Sequence, residues 1–156
     1  MEFNINISER VKKAISQVQS ELPSRAFRAS NALRNAELEV MRGQRGGRTY
    51  RKPSGGSYTA SAPGEPPAWR TGTLARSWRP LPNGNNPTIE SSVEYAGYME
   101  NGTPGGMIAP RPFAQRTVDK AEPEIVEIYS EPYNINLYRS GAHGVVRNAI
   151  PAAYWK

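Results

Sequence analysis

Residues 71–93, TGTLARSWRPLPNGNNPTIESSV, carry the turn and strand signals that decide the fold class. The first nine residues have the pattern of a capped helical turn that leads into a strand containing Trp78. The Pro- and Asn-rich middle contains the pair Asn83 and Gly84, which is a strong signal for a hairpin turn. Residues 88–93 then alternate as a strand does. The stretch therefore predicts a small, mainly antiparallel sheet.

Two helices are predicted before this sheet. Apolar residues recur at steps of three and four from residue 8 to residue 22, and Pro23 is expected to end that helix. Ser24 can cap a second helix, whose inner face is lined mostly by small side chains. That face consists of Ala26, Ala29, Leu33, Ala36 and Val40. Because such a face packs closely but buries little area, we expect this helix to gain stability from a neighbouring subunit.

A third helix is predicted after the sheet, from about residue 112 to residue 129, with Pro123 as a kink. Its expected inner face comprises Phe113, Val118, Ala121, Ile125 and Ile128. Residues 95–99 fit a helical turn and a strand equally well. The sequence thus predicts one α+β domain over residues 1–129, in which helices from both ends pack on the sheet. An extended tail over residues 130–156 follows it.

Composition excludes several classes of function. The 156 residues include no cysteine and a single histidine, His143, which removes disulfide frameworks, thiolate metal sites and zinc motifs built on paired histidines. Neither a phosphate-binding loop motif nor a dinucleotide-binding glycine motif occurs. The first eight residues lack the pattern of a secretion signal, and no stretch has the ~18 to 20 apolar residues of a membrane span. We therefore expect a protein made in a cytoplasm, with no enzymatic activity, cofactor, metal or membrane partner.

Positive charge is concentrated in the first half of the chain. The net charge is +6, and residues 1–90 carry 14 basic and 7 acidic side chains. Residues 43–68 hold ten Gly or Pro residues and almost no aliphatic side chain, so they are predicted to form a long loop or arm. Five cations stand at or near its start, with no acid between Glu39 and Glu65: Arg42, Arg45, Arg48, Arg51 and Lys52. Their candidate partners are the phosphates of double-stranded DNA and an acidic protein surface, and the alternative is a solvated run of charge.

Three short strings combine turn-forming residues with an anchoring side chain. They are TGTLARS at 71–77, YAGYMENGT at 95–103 and APRPF at 109–113. The residues expected to serve assembly or the fold are Thr71, Gly72, Leu74, Ser77, Tyr95, Glu100, Gly102, Thr103, Arg111, Pro112 and Phe113. Pro112 biases Arg111 toward an extended backbone, so its side chain is aimed, and Phe113 is expected to enter the core. We expect Arg111 to pair with Glu100, and recognition of a phosphate or carboxylate by Arg111 is the alternative.

The ordered set of three strings resembles the gene-product-ten-like tail-component proteins of long-tailed bacteriophages, which are neck or tail completion proteins. The resemblance covers roughly residues 71–129, with a compatible helical N-terminal part. It implies an α+β subunit of a ring at the junction of head and tail, without catalytic activity, through which the genome passes. Its implied partners are copies of itself, a connector or stopper protein on the head side, and a tail terminator or tail tube protein. The implied location is the virion.

Other interpretations stay open on the residues alone. The long basic stretch and the tail depart from the pattern of the family, so the chain could instead be a terminator that caps the tail tube. A sequence-independent nucleic-acid-binding protein is a further alternative, because Tyr50 and Tyr58 stand beside the cations. An enzyme would require a catalytic constellation that the sequence does not contain, and a hydrolase using Glu100 is the least unfavourable version.

Overall fold

The computed structural model describes residues 8–135, so residues 1–7 and 136–156, which include most of the predicted tail, lie outside the described part. Helices and two antiparallel hairpins make up this part, which confirms the predicted α+β class. In chain order the elements are α1 (Ser8–Arg42), β1 (Thr49–Arg51), β2 (Ser57–Thr59), α2 (Thr73–Ser77), β3 (Trp78–Pro80), β4 (Ile89–Ser91), α3 (Ala96–Asn101) and α4 (Ala114–Ser130).

Helix α1 is a single helix of 35 residues, so the prediction that Pro23 separates two helices is wrong. A proline inside a helix removes one hydrogen bond and crowds the preceding turn, at a cost of about 3 kcal/mol. The residues that follow it are held by packing, since Ala26 and Ala29 are buried and Arg25 is only 4% exposed. This burial maintains the helix through the proline, and Ser24 lies exposed within it instead of capping a new helix.

Helices α1 and α4 pack along each other through small side chains, as the alanine face of α1 predicts. Ala29 and Ala32 form a buried cluster with Ile128, and Ile125 and Tyr129 pack against its edge. Because the α1 residues in this cluster are alanines, the side chains of α4 can pack close to the α1 backbone.

The inner face of α4 differs from the prediction at one position. Ala121 and Ile128 are buried as expected, but Val118 is 48% exposed and Thr117 takes the inner position. The Thr117 hydroxyl donates a hydrogen bond to the Phe113 carbonyl at 2.9 Å, which permits a polar side chain to be buried there. Like α1, α4 continues through its internal proline.

The guanidinium of Arg25 fastens the C-terminal end of α4 to the middle of α1. It donates hydrogen bonds to carbonyl oxygens at and beyond that end, namely those of Ile128 (2.9 Å), Glu131 (2.7 Å) and Pro132 (3.0 Å), and it lies 3.8 Å from the centre of the Tyr133 ring. The last carbonyls of a helix have no partner within the helix, and they form the negative end of its dipole. A buried cation therefore satisfies them. We call this set of contacts the Arg25 clasp.

A second buried cluster joins the C-terminal end of α1 to α2 and to the start of α4. Its buried members are Met41, Ala75 and Phe113. Phe113 is 3% exposed, and its ring meets the Trp78 ring edge to face with 5.7 Å between the centres. The prediction that Phe113 enters the core is confirmed.

The hairpin of β3 and β4 confirms the signal at residues 83 and 84. The strands pair antiparallel, with Trp78 opposite Ser91. Asn83 and Asn86 close the turn through two backbone hydrogen bonds of 3.0 and 3.1 Å, and Gly84 adopts a φ of +60°. A left-handed residue at this position is what the turn requires.

A further hairpin lies within residues 43–68, which were predicted to form a loop or arm. Strands β1 and β2 pair antiparallel with Tyr50 opposite Tyr58, and the two rings stack with their centres 5.5 Å apart. Gly55 and Gly56 form the turn with φ values of +86° and +79°. The composition of this segment did not indicate a hairpin, because the segment has almost no aliphatic side chains. A cross-strand aromatic pair stabilises the hairpin instead.

One buried group in α1 has no compensating hydrogen bond in the described chain. The Glu37 side chain is 0% exposed, and neither of its carboxylate oxygens has a hydrogen-bond partner among residues 8–135. Burial raises the pKa of Glu37 to about 8, although the nearby positive charge of Arg34 acts to lower it. The carboxyl is therefore mostly protonated at neutral pH.

Candidate functional site

The three strings singled out in the sequence meet in space around one groove. Its wall combines residues 71–75 of the first string with Tyr95 and Met99 of the second and Arg111 of the third. Trp69 and Met41 complete the apolar part of the lining. Residues up to seventy positions apart in the sequence therefore build a single surface feature.

The first string forms the short helix α2 and ties it to the sheet. The Thr71 hydroxyl accepts a hydrogen bond from the Thr73 amide at 3.3 Å, and Leu74 packs against the second cluster. The Ser77 hydroxyl donates to the Leu74 carbonyl at 2.6 Å and lies 2.7 Å from the Ser91 hydroxyl on β4. The cap position itself is occupied by Gly72.

Gly72 is in the left-handed region with a φ of +75°, and a Cβ atom there would lie 2.8 Å from the Trp69 ring. Replacing Gly72 with alanine should therefore destabilise the protein by about 1 to 3 kcal/mol, measured by urea unfolding. Gly97 is the matched control, since it lies in α3 and a Cβ atom added to it would meet nothing within 4 Å. Gly97→Ala should leave stability unchanged or raise it by up to about 1 kcal/mol. Equal stability of the two variants would contradict the strain assigned to residue 72.

The second string forms helix α3, which resolves residues 95–99 as a helical turn. Tyr95 precedes α3 and is 43% exposed. Gly102 ends the helix with a φ of +78°, and a Cβ atom there would lie 2.8 Å from the Ile108 carbonyl oxygen. The Thr103 hydroxyl accepts a hydrogen bond from the Ile108 amide at 2.9 Å. Gly102 and Thr103 thus shape the loop that leads to the third string.

Glu100 and Arg111 have separate partners, so the predicted pairing between them is wrong. A Glu100 carboxylate oxygen accepts hydrogen bonds from the amides of Phe113 (2.8 Å) and Ala114 (3.2 Å), at the N-terminal end of α4. Free amides and the positive end of the helix dipole make that position favourable for a carboxylate. Glu100, which was expected to pair with Arg111, therefore binds the start of α4 instead.

The Arg111 guanidinium donates to the Ser61 carbonyl at 2.6 Å and to the Ala62 carbonyl at 3.4 Å. Its backbone amide donates to the Met99 carbonyl at 2.9 Å, and Pro112 follows it half-buried. Arg111 therefore joins the segment after β2 to the third string. The Arg111 side chain has a defined direction, as predicted, but it points to backbone oxygens of its own chain.

Arg45 also serves the fold, which removes it from the cations expected to contact DNA or an acidic partner. It donates hydrogen bonds to the carbonyls of Val40 (2.8 Å), Met41 (3.1 Å), Gly43 (2.7 Å) and Pro67 (3.0 Å), most of them at or just beyond the end of α1. Burial is the main cause that lowers the pKa of Arg45 from its ordinary value. Its place directly after a predicted helix end was the available signal for this role.

The loop after Arg45 is fixed by an acid that the sequence analysis did not single out. Both Glu65 carboxylate oxygens accept from the Gly46 amide (3.1 and 3.0 Å), and one accepts from the Ala62 amide at 2.8 Å. These backbone hydrogen bonds lower the pKa of Glu65. The base of the β1–β2 hairpin is therefore held in place.

Of the remaining predicted cations, Arg48, Arg51 and Lys52 lie on or next to the β1–β2 hairpin, and Arg42 is the last residue of α1. Arg42 lies 5.3 Å from the centre of the Trp69 ring, and Arg48 lies 5.4 Å from that of Tyr50. Arg51 is exposed on β1, and Lys52 follows it. A further cation, Arg70, lies 5.5 Å from the Tyr58 ring centre, a contact that only the hairpin fold creates. We call residues 48–58 together with Arg70 the aromatic-basic hairpin.

Comparisons with known protein families, curated proteins and solved structures found no match to this chain. Within residues 8–135 no helix is long and apolar enough to cross a membrane. In the same part of the chain, no group of three or more acidic or histidine side chains is placed to hold a metal ion.

Proposed function

We propose that this chain is a structural subunit of the head-tail junction of a long-tailed phage, which forms a ring joining the capsid connector to the tail and lets DNA pass. The three strings carry the resemblance that points to this class. The observation that carries the assembly role is an apolar stripe on α1 that continues beyond the end of α4.

The stripe consists of Val11, Ile15, Val18 and Leu22, which lie on the same helix face as the buried Ala29 because they follow helical spacing. Val11 is 47% exposed and Ile15 is 51% exposed. The chain that leaves α4 contacts α1 at Glu21 and Arg25, through the Asn134 amide (3.0 Å) and the Arg25 clasp. Val18 and Leu22, which lie nearer the clasp, are half-buried, so the stripe is most exposed toward the start of α1.

Exposed apolar side chains near the groove support the same role. Met107 is 86% exposed and Tyr98 is 52% exposed, in the loop after α3 and in α3 itself. Thr103 anchors that loop through hydrogen bonds to Ile108 in both directions. Large apolar side chains on a well-held surface favour contact with other proteins over solvent exposure.

The groove supports an assembly role more than a catalytic one. Two charged groups at the groove are engaged within the chain, since Arg111 donates to backbone carbonyls and Glu100 beside it caps α4. A catalytic acid or base must be able to reach a substrate atom, and these groups are already engaged elsewhere. We therefore propose no enzymatic activity and no cofactor.

Ile15→Glu should weaken self-association on the order of 100-fold, because burying an unpaired charge in the contact costs several kcal/mol. Sedimentation velocity over a range of protein concentrations measures this effect. Ser16→Glu is the matched control, as it adds the same charge at an exposed neighbouring position on another face of α1. Equal association of the two variants would show that the stripe is not the contact between copies.

The position in the particle is tested separately, by deleting the gene in the phage that encodes this chain. We expect electron microscopy to show filled heads and complete tails that are not joined. Tails of uncontrolled length would instead support the tail terminator. Fully joined particles would exclude both positions.

A further inference from the structure

We infer that the aromatic-basic hairpin binds the phosphate backbone of double-stranded nucleic acid without regard to sequence. As a statement about packaged DNA this inference rests on the proposed function. As a statement about binding it concerns the single chain, so it can be tested without a ring or a phage particle.

Two cations, Arg48 and Arg70, lie over the stacked tyrosine rings of the hairpin. The strand register places Tyr50 directly opposite Tyr58, and their rings are stacked with an angle of 21° between the planes. The guanidinium of Arg48 lies against the first ring and that of Arg70 against the second. A cation held against an aromatic ring keeps its N–H groups free to donate hydrogen bonds. Less conformational entropy is then lost when a phosphate binds.

These cations differ from the arginines that serve the fold. The guanidinium groups of Arg45 and Arg111 donate hydrogen bonds to backbone carbonyls. No hydrogen bond or ion pair within the described chain involves the side chains of Arg48, Arg51, Lys52 or Arg70. Of the two acids that flank the hairpin in sequence, Glu39 pairs with Lys120 and Glu65 is held by backbone amides at the base of the hairpin. The surface therefore presents positive charge that residues 8–135 do not neutralise.

Phosphates suit this surface better than bases or an acidic protein do. The tyrosine rings already pack against each other and against guanidinium groups, so binding through stacked bases is disfavoured. Protein contacts usually centre on a dry apolar patch, and the hairpin offers Thr, Ser, Gly and Pro around its cations with no aliphatic side chain. Phosphate binding needs only the cations, since release of counterions supplies the free energy.

The experiment measures binding of the full chain to a 30-base-pair duplex of mixed sequence by fluorescence anisotropy, at salt concentrations from 50 to 300 mM. We expect the logarithm of the association constant to fall linearly with the logarithm of the salt concentration. Replacing Arg48 and Arg70 together with glutamine should reduce the magnitude of that slope by about 2, since each phosphate contact contributes about 0.9. A duplex of a second sequence should bind equally well.

Arg10→Gln with Lys13→Gln is the matched control, because it removes the same charge from exposed positions near the start of α1. This control should leave the slope unchanged. The inference is overturned if the native chain does not bind the duplex at 50 mM salt, or if the control reduces the slope as much as the hairpin variant. It is also overturned if polyglutamate displaces the duplex at equal charge concentration, which would assign the surface to acidic proteins. None of these outcomes bears on the apolar stripe of α1, so they leave the ring proposal to its own tests.

Discussion

Replacing Phe113 with alanine is expected to lower the free energy of unfolding by about 3 to 5 kcal/mol. The side chain is 3% exposed and lies where α1, α2 and α4 meet, in edge-to-face contact with Trp78. Its removal leaves a cavity that small neighbours such as Ala75 cannot fill. An ordinary domain is only marginally stable, so this loss is a large fraction of its free energy of unfolding.

Urea unfolding followed by tryptophan fluorescence measures the effect, since Trp78 lies against the replaced ring. Val118→Ala is the control, because this position was expected to face inward and is 48% exposed in the structure. Its cost should stay below about 0.5 kcal/mol. A loss under about 1 kcal/mol for Phe113→Ala would mean that the site collapses around the cavity or that the ring is not part of the core.

The second large effect is a dependence of stability on pH that arises from Glu37. The pKa of this carboxyl is about 8 in the folded protein, against an ordinary value of 4.5. The folded state therefore holds the proton more tightly than the unfolded chain does. The contribution of this group to stability is greatest below pH 4.5, falls as the pH rises toward 8, and stays low above that value. The slope between these limits is at most about 1.4 kcal/mol per pH unit, so the total is several kcal/mol.

Glu37→Gln should remove most of this slope, because the amide cannot ionise. Unfolding in urea at pH 5.5, 7.0 and 8.5 measures it. Glu39→Gln is the control, since Glu39 is an exposed residue of the same helix in an ion pair with Lys120 (2.7 Å) and should keep the slope of the native chain. Glu65 and Glu131 have lowered pKa values, so their effect lies at more acidic pH and has the opposite sign. An unchanged slope in Glu37→Gln would show that the folded protein does not hold this proton.

Sequence patterns predicted the elements that depend on residues close together in the chain. The hairpin at residues 83 and 84, the turn that leads into Trp78 and the last helix all follow from turn chemistry or helical spacing. Helix α1 could not be predicted as one piece, because its continuity through Pro23 depends on packing against α4, more than a hundred residues away in sequence. The β1–β2 hairpin was missed because its stabilising pair, Tyr50 and Tyr58, becomes visible only when the register is known.

The candidate site shows the same difference between features set by local sequence and features set by long-range contacts. The roles of Gly72 and Gly102 as left-handed turn residues and of Phe113 as a core residue could be predicted from the residue types. The partners of the charged side chains could not. Glu100 and Arg45 bind helix ends, and the backbone groups found there are invisible to a search for opposite charges.

The Arg25 clasp has a mechanical consequence. It joins α4 to α1 near the point where the described chain ends, and the Asn134 amide holds that end to Glu21. Tension applied between residue 135 and the start of α1 is therefore carried by these contacts and by the first part of α1. Neither hairpin lies on that path, so both can keep their shape while α1 bears the load.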